Sequence, residues 1–180
     1  MQSNFRIRRA TAQDAVIIAS HRARMFRDMG KVSGDGFEIL KAKSQAKLEE
    51  WIVTGDYVGW LATAEDEPEA IVGGAGVQLQ RILPRPVDLA TIGRGLQGTV
   101  VNVFTEPHYR RRGVASMLMK EIITWSKTVG IDRLLLHASK EGRSVYERLG
   151  FIASNEMRFV GDAQSGVRID PPTAARQDDE

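Results

Sequence analysis

The chain has 180 residues, of which 42% are hydrophobic and 27% charged, a composition typical of a single globular domain. It contains no cysteine, which excludes disulfides, thiolate metal sites and a cysteine nucleophile. The formal net charge is only +2, which argues against general binding to nucleic acid. No apolar run approaches the roughly 20 residues of a membrane span, and the N-terminus lacks the apolar region of a signal peptide. We therefore expect a cytoplasmic protein without a membrane partner.

The first half of the chain predicts two helices and a β-hairpin. Thr11, with Asp14 three residues later, marks the start of a helix that ends at Gly30. A second helix is predicted over about 37–53. The strands of this half cover residues 5–9, 57–64 and 70–79, and an acidic turn joins the last two into an antiparallel hairpin. The glycine-rich residues 73–76 inside that hairpin indicate either a bulge or an exposed backbone for a substrate.

The second half predicts alternating strands and helices after a long loop. The predicted elements are a strand over 99–105, a long helix over 113–129, a strand over 131–138, a short helix over 140–148, and final strands that start at Phe151 and at Met157. Two apolar strands joined by a helix predict a right-handed parallel crossover in a mixed sheet. We expect residues 1–160 to form one α/β domain and residues 161–180 a flexible C-terminal tail.

The turn from Pro107 to Ser116 has the features of an anion site. It joins a strand to the start of the long helix, where unpaired backbone N–H groups and the positive end of the helix dipole favour phosphate. Gly113 has no side chain to block a diphosphate, and three preceding arginines can grip phosphate oxygens. The alternative is a solvated basic turn whose glycine serves only the backbone. The turn is not a P-loop, because it lacks the second glycine and the Lys-Ser/Thr pair.

Two motifs resemble those of the GCN5-related N-acetyltransferases. Residues 110–115, Arg-Arg-Arg-Gly-Val-Ala, fit the family's Arg/Gln-x-x-Gly-x-Gly/Ala signature, and residues 145–151 resemble its Tyr-x-x-Leu-Gly-Phe block. The element order over residues 5–160 is also similar to that of the family. The resemblance implies a GNAT-like fold, with a mixed, mostly antiparallel sheet of six to seven strands, about four helices and two parallel central strands that splay apart.

The resemblance also implies acetyl-CoA as co-substrate, with its pantetheine arm between the splayed strands and its diphosphate on residues 111–116. The implied cofactor-binding residues are Val103, Phe104, Thr105, Arg110, Arg111, Arg112, Gly113, Val114, Ala115, Ser116, Ser139 and Tyr146. The chain departs from the family pattern at Ser139 and Gly142, where the family often has Asn and Ala. No spacing of metal ligands appears, so we expect no metal.

The implied reaction is direct transfer of the acetyl group to a primary amine of a small molecule or peptide. Tyr146 matches the residue that assists the departing thiolate, and its alternative role is that of a core aromatic. Glu106 is the candidate general base, working through water, although a carboxylate at this position can equally pair with nearby arginines. Candidate substrate-binding residues are Phe26, Asn102, which could position that water, and His137, with core or pocket-wall roles open for Phe26 and His137.

Two other functions remain open from the sequence. A non-catalytic acyl-CoA-binding or sensing module would keep the cofactor seat and lack acceptor chemistry. Arg110 to Arg112 could instead contact nucleic acid, an interpretation that the small net charge disfavours. Final strands at the sheet edge would allow a homodimer of the kind found in the family.

Overall fold

The computed structural model describes residues 5–159. Its elements are β1 (Phe5–Arg9), α1 (Ala15–Asp28), α2 (Gly34–Thr54), β2 (Tyr57–Ala64), β3 (Glu67–Arg81), β4 (Leu96–Thr105), α3 (Val114–Val129), β5 (Arg133–Leu136) and α4 (Arg143–Arg148). Single 3-10 turns at Ala12–Asp14 and Pro107–Tyr109 precede α1 and α3. Within the described part, no helix is both long and apolar enough to cross a membrane.

The strands form one mixed sheet in the order β1-β2-β3-β4-β5. All neighbours are antiparallel except β4 and β5, which are parallel and are connected through α3, as the apolar strand–helix–strand pattern predicted. Residues of α1 and α2 pack on one face of the sheet around Leu61, and α3 packs on the other face around Trp60 and Val77. The sheet therefore lies between two helical layers.

The start of the first helical segment follows the predicted capping pattern. Thr11 and Asp14 form a capping box, in which the Asp14 carboxylate accepts a hydrogen bond from the Thr11 N–H at 2.8 Å. Arg8 of β1 donates two further hydrogen bonds to the same carboxylate. The Arg8 guanidinium is the main reason that the pKa of Asp14 falls to about 2. The charged cap thereby ties α1 to the edge strand.

The glycines of β3 are explained by close packing. A Cβ at Gly76 would enter the ring of Tyr57, and a Cβ at Gly73 would lie 2.8 Å from the carbonyl oxygen of Phe104. Both distances are too short for a side chain, so each glycine allows a neighbouring group to approach the strand. A bulge was expected near these residues. One irregularity lies in β3 beside Gly73, where Gly73 and Ile71 are opposite the consecutive residues Ala62 and Thr63, and a second lies opposite the glycines, on β4.

Three sequence predictions about strands are wrong. The described sheet has five strands, and residues 151–159 form none, although strands were predicted from Phe151 and Met157. This segment contacts β5 through one ion pair, Arg133 with Glu156 at 2.8 Å, and forms no backbone ladder with it. The strand predicted over 131–138 ends at Leu136, because pairing with β4 stops there. Val160 and the predicted tail 161–180 lie outside the described residues.

Candidate functional site

The two parallel strands separate halfway along β4. Pairing runs from Gln97 opposite Arg133 to Val100 opposite Leu136, and β4 then continues to Thr105 without β5. The chain leaves the sheet after Leu136. The five β4 residues after Val100 thus have no β5 partner, which is the divergence that the resemblance implied.

A β-bulge lies inside this separated stretch. Gly76 is opposite Val101 and Gly74 is opposite Phe104, so two β4 residues, Asn102 and Val103, face Ala75 alone. Asn102 has a φ of 58°, a left-handed conformation that asparagine tolerates better than most residues. The extra residue changes which face each later side chain of β4 occupies.

The α1 side of the bulge carries a hydrogen-bonded chain centred on Asn102. Arg22 Nη1 donates to Asn102 Oδ1 at 2.7 Å, and Asn102 Nδ2 donates to the Tyr57 hydroxyl at 3.3 Å. Burial raises the pKa of Tyr57 to about 12, so its hydroxyl stays protonated. The Arg22 guanidinium also lies over the Phe26 ring, 4.9 Å from its centroid. The predicted substrate residues Phe26 and Asn102 are therefore brought together, through Arg22.

A second cluster on α1 surrounds the predicted base Glu106. Arg24 donates two hydrogen bonds to the Glu106 carboxylate, at 2.6 and 2.7 Å, and lowers its pKa. His21 Nε2 lies 3.5 Å from the same carboxylate, and the His21 ring stacks on Phe104 with centroids 4.7 Å apart. Glu106 thus forms an ion pair with an arginine, the role that the sequence left open as the alternative to a general base. A carboxylate in this environment is a weaker base than an ordinary glutamate.

Sequence reasoning missed Arg22, Arg24 and His21 as members of the site. The available signal was that these three residues lie close to Ala19 and Ala23 in the same helix, and both alanines are completely buried. Such residues face the sheet only if a polar partner lies on it. The partners, Asn102 and Glu106, lie about eighty residues away in the chain.

The turn before α3 is open on its outer side. Residues Arg110 to Gly113 are exposed, and Arg111 and Gly113 have φ values of 62° and 90°. No side chain caps the first turn of α3, which also has no acidic residue, and nothing lies within 4 Å of the position of a Cβ on Gly113. The N–H groups at the helix start are therefore free of side-chain caps and suited to an anion.

The three arginines of this turn have different surroundings. Arg110 pairs with Asp28 at the end of α1 at 2.8 Å and donates to the Thr105 carbonyl at 3.1 Å. Arg110 therefore fixes the turn to α1 and β4. Arg112 lies over the Tyr109 ring, 5.3 Å from its centroid, and Arg111 is exposed.

Tyr146 lies within α4, and Ser139 lies in the loop just before that helix. The Tyr146 ring is half-buried against the α3-side core and meets Phe151 edge-on, with ring centroids 6.1 Å apart. Its hydroxyl makes no hydrogen bond within residues 5–159, and burial raises its pKa. Ser139 Oγ accepts a hydrogen bond from the Gly142 N–H at 3.1 Å. A Cβ on Gly142 would lie 3.2 Å from the Tyr146 ring, so glycine at this N-cap position leaves room for the tyrosine.

His137 does not lie in an apolar strand as predicted. It is exposed, one residue beyond the end of β5 at the point where the two strands separate. A shallow cavity of about 280 Å³ lies further along the sheet, lined by Gln78, Leu79, Gln80 and Thr99. It is away from the turn before α3. Within the described part, no cluster of three or more His, Asp or Glu is arranged to hold a metal ion.

Comparisons with known proteins give one family match and several solved structures of similar fold. A model of the acetyltransferase (GNAT) family matches residues 24–151. A GCN5-related N-acetyltransferase from Ralstonia eutropha has a TM-score of 0.75 and 24% identity, with 87% of this chain and 98% of that chain covered. A predicted acetyltransferase from Clostridium acetobutylicum, crystallised with acetyl-CoA, has a TM-score of 0.74 and 23% identity, with coverage of 88% and 96%.

A more distant neighbour is glucosamine-6-phosphate N-acetyltransferase from Arabidopsis thaliana. Its TM-score is 0.63 at 17% identity, with coverage of 89% of this chain and 99% of that chain. A search of curated proteins finds no significant match. At these identities the solved structures show the fold alone, and they confirm the GNAT-like fold that the two motifs implied.

Proposed function

Since this chain belongs to the acetyltransferase (GNAT) family, an acyltransferase family, we propose that it transfers an acetyl group from acetyl-CoA to a primary amine of a small molecule or peptide. Transfer takes place by direct attack of the amine in a ternary complex. Acetyl-CoA supplies the acetyl group, activated as a thioester. In the proposal, the chain binds and orients both substrates, accepts a proton from the amine and donates one to the departing sulfur.

The observation that supports this proposal is that two accessible backbone segments follow each other closely in the chain. The stretch of β4 that lacks a β5 partner ends at Thr105, and the first turn of α3, which no side chain caps, begins at Val114. The backbone of Val103 to Thr105 would bind the amides of the pantetheine arm. The N–H groups of residues 111–116 would hold the diphosphate, because the helix dipole and the missing side chain of Gly113 favour an anion there.

Tyr146 would donate a hydrogen bond to the departing sulfur. Full proton transfer from a tyrosine of pKa about 10 to a thiol of about 8.5 is uphill by about 2 kcal/mol. Burial raises the pKa of Tyr146, which increases that difference and keeps the hydroxyl protonated. Its role in the proposal is therefore hydrogen bonding, with proton transfer after the bond to sulfur has broken.

The surroundings of Glu106 favour an acceptor that loses its proton easily. We assign Glu106 the role of proton acceptor through water, and its lowered pKa makes it a weak base. At pH 7, deprotonation costs about 4 to 5 kcal/mol for a lysine-type amine and about 1 kcal/mol for an α-amine with a pKa near 8. The proposal thus favours an α-amine over a lysine side chain.

A negative charge added at the start of α3 tests the cofactor seat. Ser116→Glu places a carboxylate in the first turn, where it stabilises the helix and repels a diphosphate. We expect isothermal titration with CoA to show an affinity at least about tenfold weaker than that of the wild type, without loss of thermal stability. Thr124→Glu is the matched control, because it makes the same charge change on an exposed position of the same helix. Equal affinities for the two variants would place the diphosphate elsewhere.

Turnover tests the chemistry separately from binding. Release of free CoA thiol with a panel of amines, amino acids and peptides would distinguish the enzyme from a non-catalytic acyl-CoA-binding module. Tyr146→Phe should lower kcat while the affinity for CoA stays unchanged. Normal turnover in this variant would contradict the leaving-group role of Tyr146. Binding of acetyl-CoA with no CoA release from any amine would contradict the proposed function.

A further inference from the structure

Arg22 has surroundings different from those of two other arginines near the bulge. Arg24 pairs with Glu106 and Arg110 pairs with Asp28, each at hydrogen-bond distance. Arg22 contacts the neutral amide of Asn102 and the ring of Phe26 instead. Within residues 5–159 it has no carboxylate partner, although it is half-buried and burial lowers its pKa.

The unused donors of Arg22 suit a planar anion. A guanidinium carries five N–H donors, and the Asn102 amide oxygen engages one of its terminal nitrogens. The ring of Phe26 and the hydrogen bond to Asn102 hold the guanidinium at two points. The remaining donors form a fork of the kind that binds a carboxylate with two parallel hydrogen bonds. A half-buried cation without a counterion gains stability when an anion binds to it.

The position of Arg22 places this fork beside the gap between β4 and β5, where the proposed reaction takes place. Its partner Asn102 is two residues beyond Val100, the last β4 residue paired with β5. Asn102 faces α1, whereas its neighbour Val103 packs on the side of α3, whose first turn is the proposed cofactor seat. Arg22 therefore lies on the face of β4 opposite the cofactor seat. An acceptor entering the gap from the α1 side would pass it.

We propose that Arg22, held by Asn102 and Phe26, binds a carboxylate of the acceptor, so that the acceptor is an amino acid or another amine that carries a carboxylate. The inference rests on the proposed acetyl transfer, and it adds the substrate class. Arg22 is then a specificity-determining residue. The carboxylate supplies the negative charge that the chain does not provide to Arg22.

Matched acceptors separate the carboxylate from the rest of the substrate. Each L-amino acid is compared with its amide and with the amine that lacks the carboxyl group, for example phenylalanine, phenylalaninamide and phenethylamine. We expect kcat/KM for CoA release to be at least about twentyfold higher with the acid, since losing a charged hydrogen-bonded pair has effects of this size. The amine of the amide is less basic than that of the acid, so amine ionisation alone would favour the amide.

Substitutions at position 22 assign the preference to the guanidinium. Arg22→Gln should raise KM for the acids much more than KM for the amides. Arg22→Lys keeps the charge without the fork and should recover part of the preference. Arg27→Gln is the control, because Arg27 is an exposed arginine on the same helix that stacks on Phe37. It should behave as the wild type.

Binding without turnover gives a second test. In the presence of CoA, amino acids should raise the thermal midpoint of the wild type, and Arg22→Gln should abolish this shift. Equal kcat/KM for acids and amides in the wild type would overturn the inference, as would an equal loss of activity toward both in Arg22→Gln. Either result would leave the proposed acetyl transfer standing. Absence of any shift with every carboxylate would also overturn it. CoA binding without CoA release from any amine, charged or uncharged, would instead contradict the proposed function.

Discussion

Replacing His21 with glutamine should remove a proton-binding site that only the unfolded chain uses. His21 is 2% exposed, and burial is the main cause that lowers its pKa from 6.5 to about 4, with Glu106 opposing the shift and Arg24 adding to it. Between these two values the unfolded chain binds a proton at His21 and the folded chain does not. The difference corresponds to about 3 kcal/mol of stability, present above pH 6.5 and lost as the pH falls toward 4.

Urea unfolding at intervals from about pH 7.5 to about 4.5 measures this contribution. Within the window the free energy of unfolding of the wild type should fall by about 1.4 kcal/mol per pH unit more than that of His21→Gln. The variant starts from a lower stability at neutral pH, so the two curves should converge as the pH falls. The lowered pKa of Glu106 acts at more acidic pH and affects both proteins in the same direction.

His108→Gln is the control, because it replaces an exposed histidine in the turn before α3. It should keep the slope of the wild type. Parallel curves for the wild type and His21→Gln would mean that the folded chain protonates His21 as readily as the unfolded chain. That result would refute the argument that burial against Phe104 holds the imidazole neutral.

Three further substitutions test local contacts, two beside the bulge and one at the start of β4. Gly76→Ala should lower the free energy of unfolding by about 1 to 3 kcal/mol in urea melts, because its methyl group would enter the Tyr57 ring. Tyr57→Phe should lower it by about 1 kcal/mol, since it removes the hydroxyl that accepts the hydrogen bond from buried Asn102. Asp132→Ala should speed hydrogen exchange at residues 94–96 by about tenfold, because the Asp132 carboxylate accepts hydrogen bonds from all three of their N–H groups.

The parts of the fold that the sequence predicted are those that depend on neighbouring residues. Thr11 and Asp14 lie three residues apart, and their capping box needs no distant partner. The helix α3 lies between Gly113 and Gly130, both with positive φ, and its apolar side chains repeat with helical spacing. The open turn before α3 was predictable for the same reason, because a strand, a glycine and a helix start follow each other directly.

The wrong predictions concern features that depend on pairing across the sheet. Residues 151–159 contain enough apolar side chains for a strand, yet a strand forms only when another strand offers its backbone. Ile152, Met157 and Phe159 are instead almost fully exposed. His137 continues an apolar run in the sequence, but its position is set by where β4 and β5 separate. Neither outcome is encoded within the segment itself.

The bulge at Asn102 explains why the α1 side of the site was the hardest part to predict. Strict alternation along β4 from Val101, which faces α1, would turn Asn102 and Phe104 toward α3. One extra residue reverses this, so that Asn102 meets Arg22 and Phe104 stacks on His21. Both contacts, and with them the surroundings of Glu106, depend on a single left-handed residue. The only local signal for it is the tolerance of asparagine for positive φ, which is too weak to specify a bulge without knowledge of the glycines opposite it.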